Sequence, residues 1–313
     1  MVQEEVISLA KILCVGSVNM DLVVSLQERA PAAGETVFGT DYRNVPGGKG
    51  ANQAVAAARM GGQVLFLGRV GDDENGRALR AGMEADGIDT RLLKTCDRPT
   101  GLALIPVEPS GQNRIIVVSG ANSTLTPGDV IAAFEAETVD CVLVGLEVPL
   151  PVVEAACRQG AARGIPVVLD AGPAMALNLA PLQGLTILSP NETEAQAITG
   201  IEIADEDSAR RAAVWMEERC HPRYVVIKLG ARGSYIYGQG LAQTVPAFPC
   251  KAVDSTAAGD CFTAVLALEY IRTGDILAAA RYASAAAGIS VTRPGAQPSL
   301  PRREEVDAFL EQL

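Results

Sequence analysis

The chain has 313 residues, of which 48% are hydrophobic and 20% are charged. This composition is ordinary for a soluble globular protein, and the length allows an extensive buried core. The formal net charge of −11 comes without any basic run, so nucleic acid and anionic membrane surfaces are poor partners on electrostatic grounds. Seven scattered cysteines without CxxC spacing indicate reduced thiols, and no segment is typical of a signal peptide or a membrane span, so we expect a cytoplasmic protein.

In chain order, the predicted elements alternate between buried strands and helices. Apolar runs predict strands at about 11–17, 64–70, 139–145, 166–170, 185–188 and 224–229, and residues 233–237 are predicted to form a hairpin with the last of these. Helices are predicted at about 50–60, 75–85, 152–163, 192–199, 208–219, 260–272 and 275–291. This alternation is typical of a three-layer α/β/α fold with a mostly parallel sheet.

Two segments, about 18–46 and 97–120, interrupt this alternation. They are extended, rich in β-branched residues and punctuated by turns, with no helix between strands. We predict that they form a small antiparallel sheet that acts as a lid over the functional site. Because no repeat or linker divides the chain, residues 1–313 are predicted to form a single α/β domain with this discontinuous lid.

The most informative segment runs from Asp254 to Asp260, with the sequence Asp-Ser-Thr-Ala-Ala-Gly-Asp, and leads into an apolar helix. A small-residue turn at a helix start leaves backbone N–H groups free to bind an anion such as a phosphate. Asp260 is placed to take a proton from a nucleophilic hydroxyl, although a simple helix cap is an alternative role. Cys261 lies where a thiolate is stabilised, but a small packed residue is the simpler interpretation.

Further polar residues follow predicted strands or open predicted helices. Asn19 and Asp21, two positions apart, suit vicinal hydroxyl groups, with a plain Asx turn as the alternative. The glycine-rich stretch 47–53 lacks the spacing of a phosphate loop but allows close backbone approach, with Lys49 and Asn52 as polar contacts. Glu147, Asn191 and the 228–233 loop occupy equivalent positions, so the sequence predicts that these groups meet at one sheet edge.

Taken together, these motifs resemble the ribokinase family of carbohydrate and adenosine kinases. The resemblance runs nearly end to end. It is carried by Gly-Ser-Val-Asn-Met-Asp at 16–21, Gly-Gly-Lys-Gly-Ala-Asn-Gln-Ala-Val-Ala-Ala at 47–57, Asn-Glu-Thr-Glu at 191–194, the 254–260 segment, and Val-Thr-Arg-Pro-Gly-Ala-Gln-Pro-Ser at 291–299. It implies ATP-dependent phosphorylation of D-ribose at its 5-hydroxyl, with ATP, Mg²⁺ and an activating K⁺.

The resemblance also implies roles for individual residues. Asp260 is the expected base, and the amides of Ala257, Ala258 and Gly259 are the expected anion hole. The expected sugar ligands are Asn19, Met20, Asp21, Gly48, Lys49, Gly50, Ala51, Asn52 and Glu147, with Asp260. The nucleotide is expected at Asn191, Lys228, Leu229, Gly230, Ala231, Arg232, Gly233, Gly259, Asp260 and Ser284. The K⁺ site is expected at Asp254, Thr256, Ser290, Arg293, Gly295 and Ser299.

Four positions depart from the family pattern. Lys228 replaces a usual Thr beside the phosphates, where its charge is expected to contact phosphate directly. Thr263-Ala264 replaces Asn-Gly, Ser284 replaces a His or Asn near adenine, and Asp170-Ala171-Gly172-Pro173-Ala174 replaces Asn-Pro-Ala-Pro-Ala. These departures bear on nucleotide preference more than on the reaction.

Other functions remain as alternatives. The acceptor is open between ribose and another sugar or nucleoside, such as 2-deoxyribose, fructose or an adenosine-like molecule. A non-catalytic sugar-binding regulator is disfavoured by the intact Asp260 and glycines. A nicotinamide oxidoreductase is excluded because no GxGxxG follows the first strand. We also predict a homodimer through the lid, since the lid strands would otherwise leave exposed edges.

Overall fold

The computed structural model describes residues 10–312. Within that range the strands are β1 (Lys11–Val15), β2 (Asn19–Leu26), β3 (Gly39–Gly47), β4 (Gln63–Gly71), β5 (Leu93–Cys96), β6 (Gly101–Val107), β7 (Ile116–Val118), β8 (Cys141–Gly145), β9 (Val167–Asp170), β10 (Ile187–Ser189), β11 (Tyr224–Lys228), β12 (Ser234–Gly238) and β13 (Leu241–Val245).

The helices in the same range are α1 (Lys49–Arg59), α2 (Glu74–Ala85), α3 (Pro127–Ala136), α4 (Leu150–Arg163), α5 (Glu192–Thr199), α6 (Glu206–Cys220), α7 (Ala258–Thr273), α8 (Ile276–Ser290) and α9 (Arg303–Glu311). Short 3₁₀ turns occupy Gly120–Thr124, Gly230–Arg232 and Gln297–Ser299. Within residues 10–312, no helix combines the length and the apolarity that crossing a membrane requires.

The main sheet confirms the predicted α/β architecture. Its strand order is β13-β12-β11-β10-β9-β8-β1-β4-β5, and all pairs from β11 to β5 are parallel. The predicted hairpin of residues 233–237 with the strand at 224–229 is present, because β11 and β12 pair antiparallel. β13 then pairs antiparallel with β12 and forms the edge of the sheet. The central strands are almost fully buried, as expected for parallel strands with helices on both faces.

Alternation along each strand divides the core into two layers. In β1, Ile12 and Cys14 belong to the cluster that includes residues of α1, α7 and α8. Leu13 and Val15 belong to the opposite cluster, with residues of α3, α4, α5 and α6. Because side chains of successive strand residues point to opposite faces, one apolar strand serves both layers. This sandwich fixes the carboxyl edge of the sheet, where the predicted site residues lie.

A second sheet, with strand order β3-β2-β6-β7, confirms the predicted lid. Its outer pairs β2–β3 and β6–β7 are antiparallel, as expected, but the central pair β2–β6 is parallel. The reason lies in the main sheet. β2 follows β1 and β6 follows β5, so both lid strands leave parallel strands of the main sheet near the same edge. They therefore run in the same direction.

Candidate active site

Asp260 lies in the first turn of α7 and is 4% exposed. Asn52 Nδ2 donates to its Oδ2 at 2.9 Å, and Lys49 Nζ donates to its Oδ1 at 3.2 Å. Both donors come from the start of α1, which the glycine-rich stretch brings close to β1. The two contacts orient the carboxylate, so Asp260 is a positioned side chain and not only a helix cap.

The turn before α7 has the geometry of an anion site. Ala257 adopts a left-handed conformation with φ of 61°, and its side chain gives the helix no cap. The Ala258 N–H donates to Ser255 O at 3.2 Å, a contact inside the turn. The first-turn N–H groups that follow have no acceptor within the helix and remain available to a ligand. A strained non-glycine residue at such a turn is typical of functional loops.

A group of polar side chains lies on the lid side of Asp260. Asn122 Nδ2 donates to Asn19 Oδ1 at 2.8 Å, and Ser17 Oγ donates to Glu147 Oε2 at 2.6 Å. The Lys49 backbone N–H also donates to Glu147, at 3.2 Å. Next to them, a cavity of about 390 Å³ is lined by Asn19, Val117, Ser119, Asn122, Ser123, Leu146, Glu147, Val148, Pro149 and Pro173.

Asp21 shows that this part of the site is crowded with negative charge. Burial, together with the charges of Glu147 and Asp260, raises the pKa of Asp21 to about 7. Its carboxylate sits over Gly47, where a Cβ would overlap it. Asn52 Oδ1 is buried and has no hydrogen-bond partner among residues 10–312. A ligand with several hydroxyl groups matches these acceptors, because each hydroxyl can donate to one of them.

Lys49 is the positive centre of the site. Burial alone would lower the pKa of its ammonium, but the charges of Asp260, Asp170, Glu194 and Glu147 raise it well above its usual value. Lys49 therefore stays charged. Its Nζ lies 3.2 Å from Asp260 and 3.6 Å from Asp170, so the cation joins two carboxylates.

Lys228, whose charge is expected from the sequence to contact phosphate, is held by two side chains. Its ammonium donates to Asp170 Oδ2 at 2.7 Å and to Thr263 Oγ1 at 3.1 Å. The side chain is 10% exposed, and Asp170 is fully buried. Burial by itself would raise the pKa of Asp170, but Lys228 and Lys49 hold it below its usual range.

The other residues predicted for the nucleotide are placed differently from one another. Asn191 caps α5, because its side chain accepts a hydrogen bond from the Glu194 N–H at 2.8 Å. Its backbone also forms an isolated parallel β-bridge with the backbone of Lys228. Gly230 to Arg232 form a short 3₁₀ turn. The Arg232 guanidinium forms an ion pair with Glu192 and donates a hydrogen bond to the Ala204 carbonyl. Ser284 is buried in α8, and within residues 10–312 no hydrogen bond joins it to the Asp260 group.

Of the six residues predicted for K⁺, three form one group and two form a pair. Asp254 accepts from the Thr256 N–H at 2.9 Å and from the Gly295 N–H at 2.8 Å. The hydroxyl groups of Ser290 and Ser299 lie 2.8 Å apart. The Asp254 N–H donates to Val291 O at 3.1 Å, which ties the loop to the end of α8. The Arg293 side chain, in contrast, pairs with Glu305.

Several contributors were missed by the sequence reasoning. Asn122 is 1% exposed, and its hydrogen bond to Asn19 fixes that side chain. The Gly-Ala-Asn triplet at 120–122 repeats the one at 50–52, and this repeat could have identified Asn122 from the sequence. Glu194 is the last residue of the Asn-Glu-Thr-Glu motif at 191–194, and the sequence predicted no role for it. In the structure it is buried beside Lys49. Burial is the main reason that its pKa is raised. For Cys261 the simpler interpretation is confirmed, because burial raises its pKa to about 12.

Comparisons with known proteins agree with this geometry. Residues 9–303 match the pfkB family of carbohydrate kinases. The chain is 41% identical to the ribokinase of Haemophilus influenzae, covering 95% of this chain and 97% of that protein. It is 34% identical to the deoxyribokinase of Salmonella typhi, covering 96% and 98%. The structure of Arabidopsis thaliana ribokinase complexed with ribose and ATP superposes with a TM-score of 0.89, at 31% identity, covering 97% of this chain and 99% of that one.

Proposed function

Because the chain belongs to the pfkB family of carbohydrate kinases, we propose that it transfers the γ-phosphoryl group of ATP to the 5-hydroxyl of D-ribose. The product is D-ribose 5-phosphate. One observation carries the proposal: the Asp260 carboxylate is fixed by Lys49 and Asn52 at the start of α7, directly after an unusual turn that frees backbone N–H groups. A base and an anion site are thereby adjacent.

The reaction needs positioning and charge stabilisation more than covalent chemistry from the protein. Asp260 accepts the proton of the 5-hydroxyl as its oxygen bonds to the γ-phosphorus. The backbone N–H groups of Ala257 and Gly259 donate to the transferring phosphoryl group, whereas the Ala258 N–H is held by Ser255 O. Asn19, Asp21, Asn52 and Glu147 supply acceptors and donors for the other sugar hydroxyls, as do Lys49 and the backbone of 47–51. The predicted residues around Asn191 and 228–233 hold the nucleotide.

Two cations complete the proposal. Mg²⁺ binds with the phosphates of ATP and neutralises their charge. Among residues 10–312, no three His, Cys, Asp or Glu side chains cluster closely enough to bind a metal by themselves, which suits an ion that arrives with the nucleotide. K⁺ suits the loop of Asp254, because this carboxylate supplies oxygen atoms next to the backbone of Thr256 and Gly295.

The lid supports a homodimer. Phe38, Tyr42, Ile116 and Val118 expose between 52% and 74% of their surfaces on or beside lid strands. Apolar surface of this kind on a small sheet favours burial against another protein, and a second copy of the lid presents the same surface. A cytoplasmic location belongs to the same proposal.

The proposal is tested by a panel of acceptors assayed with ATP, Mg²⁺ and K⁺. We expect kcat/KM to be highest for ribose among ribose, 2-deoxyribose, fructose and adenosine. The similarity to a deoxyribokinase makes 2-deoxyribose the specific rival. A value for 2-deoxyribose equal to that for ribose would overturn the assignment of the acceptor.

The role of Asp260 is tested in the same assay. We expect Asp260→Asn to lower kcat by about 10²- to 10⁴-fold, the usual contribution of a general base, while ribose still binds. Asp72→Asn is the control, because Asp72 is an exposed carboxylate that precedes the N-cap of α2. Near wild-type turnover by Asp260→Asn would contradict the proposed chemistry.

A further inference from the structure

Three of the positions that depart from the family pattern meet in the structure. Asp170 ends β9, Lys228 ends β11, and Thr263 lies in the first turns of α7. Lys228 Nζ donates to Asp170 Oδ2 at 2.7 Å and to Thr263 Oγ1 at 3.1 Å. Thr263 Oγ1 also donates to Asp170 Oδ2, at 2.8 Å, so each of the three contacts the other two. We refer to them as the 170–228–263 triad.

Stabilisation of the fold does not explain why charged side chains are buried in this triad. Asp170 is fully buried and Lys228 is 8% exposed. Removing two charges from water costs free energy that their attraction only partly returns, so buried ion pairs are weak evidence for stabilisation. Neutral side chains at these positions would fold without that cost. The triad therefore calls for a function that needs a buried positive charge at this point.

The ammonium of Lys228 lies beside Gly259 of the anion-binding turn. A Cβ built on Gly259 would be 3.9 Å from Lys228 Nζ. Thr263 also reaches the turn, since its hydroxyl lies 3.0 Å from Gly259 O. An ammonium has three N–H donors, and Asp170 and Thr263 take two. Among residues 10–312 no third acceptor contacts Lys228 Nζ, so one N–H remains for a ligand beside Gly259.

The triad also connects to the base. Asp170 Oδ1 lies 3.6 Å from Lys49 Nζ, and Lys49 Nζ lies 3.2 Å from Asp260 Oδ1. Positive and negative groups thus alternate from Lys228 through Asp170 and Lys49 to Asp260. Asp170 uses one oxygen for each lysine, so the same carboxylate contacts both cations.

We propose that Lys228 is a catalytic residue that donates its third N–H to the transferring phosphoryl group, and that Asp170 and Thr263 are its positioning residues. The proposal rests on the proposed kinase function. In the step, the bond from the 5-oxygen to the γ-phosphorus forms, and the bond from the γ-phosphorus to the β–γ bridging oxygen breaks. The electron pair leaves with ADP, and the hydroxyl proton goes to Asp260. Lys228 keeps its proton throughout.

This arrangement is expected to act on the rate more than on sugar binding. Two partners hold the ammonium in place before the nucleotide arrives, so little reorganisation is needed when charge develops on the phosphoryl oxygens. Ribose is expected on the other side of Asp260, beside Asn19 and Glu147. Loss of Lys228 should therefore lower kcat and leave the affinity for ribose unchanged.

The test uses the full chain with the pair neutralised together, as Asp170→Asn with Lys228→Met, because either change alone leaves a buried charge without its partner. The matched control is Arg69→Met with Asp129→Asn, a largely buried ion pair of 2.7 Å outside the site. For each protein we would measure kcat, KM for ATP, ribose affinity by calorimetry and the melting temperature. Turnover is measured with the acceptor that the wild-type protein uses best.

We expect the 170/228 double variant to lose about 10²-fold in kcat, the usual effect of one donor to a developing anion, with ribose affinity within about twofold of wild type. The control variant, Arg69→Met with Asp129→Asn, should keep kcat within about twofold of the wild-type value. Wild-type kcat in the 170/228 variant would overturn the proposal, and so would a loss of kcat accompanied by an equal loss of ribose affinity. A wild-type protein that phosphorylates no acceptor would instead refute the proposed function.

Discussion

Three carboxylates share the proposed sugar site, and their surroundings give them different roles. Asp260 contacts Lys49 and Asn52, whereas Glu147 accepts from Ser17 and from the Lys49 backbone. Asp21 has no comparable cation, and burial raises its pKa to about 7. At neutral pH the ligand-free site therefore holds a proton on Asp21 in a large fraction of molecules. A sugar hydroxyl that donates to this carboxylate competes with that proton.

The raised pKa of Asp21 predicts a change of stability with pH. Its ordinary value is 3.8, so as pH rises from about 4 to 7 the unfolded chain loses this proton while the folded protein keeps it. The folded state is destabilised across that window, and the full cost is present above pH 7. We expect Asp21→Asn to raise the melting temperature of the ligand-free protein by a few degrees at pH 8 and by less at pH 5, measured by calorimetry.

The same substitution should weaken ribose binding, because an amide replaces a charged acceptor. Function and stability then change in opposite directions, which distinguishes a ligand-binding carboxylate from a structural one. Asp72→Asn is again the control, since its exposed side chain should change neither quantity. A lower melting temperature for Asp21→Asn at pH 8 would contradict this account.

At the scale of elements, the start of α7 depends on the loop before it, because Ala257 at the N-terminus of the helix makes no side-chain cap. Asp254 accepts hydrogen bonds from the Thr256 N–H and the Gly295 N–H, and its own N–H reaches Val291 O. This carboxylate therefore connects the anion-binding turn to the end of α8. A cation bound in the same loop would hold the turn in its active conformation without touching the sugar.

Replacing Asp254 should consequently impair activation by K⁺. We expect Asp254→Ala to raise the K⁺ concentration for half-maximal turnover and to lower kcat by about tenfold or more, because it removes an oxygen ligand and two backbone hydrogen bonds. Turnover would be titrated with K⁺ in a choline background, with ribose affinity as the reference that should not change. Equal activity with and without K⁺ in the wild-type protein would refute the site.

At the scale of the whole molecule, the lid presents an apolar surface that its own strands do not cover. Ile116 and Val118 of β7 are 57% and 52% exposed, and Tyr42 of β3 is 69% exposed. Burial of such side chains stabilises association by roughly 25 cal/mol per Å² before the cost of assembly is counted. A lid paired with a second lid would also cover the open strand edges.

We therefore expect a dimer in light scattering at micromolar concentration. Changing Ile116→Asp together with Val118→Asp should give a monomer, because charges would be buried at the contact. Ile131→Asp on α3 is the control, since this apolar residue is exposed away from the lid and should leave the mass unchanged. A monomeric wild-type protein would refute the proposed dimer.

Much of this architecture follows from local sequence. The short length of the apolar run 141–145 favours a strand, and the Asn191 cap with Glu194 favours a helix over 192–199. The alternation of strands and helices can therefore be predicted without coordinates. The carboxyl ends of parallel strands lie at the same edge of a sheet. This rule alone predicts that Asn19, Glu147, Asn191 and the 254–260 turn lie at one edge. The resemblance of these motifs to a family of kinases then indicated their chemistry.

Tertiary structure decided what local sequence leaves open, because the relevant partners are far apart in the chain. Asn52 and Asp260 are 208 positions apart, and Lys228 is 58 from Asp170. The parallel pairing of β2 with β6 depends on where β1 and β5 end in the main sheet. The sequence by itself determined that Asn19, Glu147 and the 254–260 turn follow or precede elements that meet at one sheet edge, but not that Asn122 and Glu194 join them. Packing across the sheet decided which charges contact each other, and so which side chains, Asp170 and Thr263, hold Lys228.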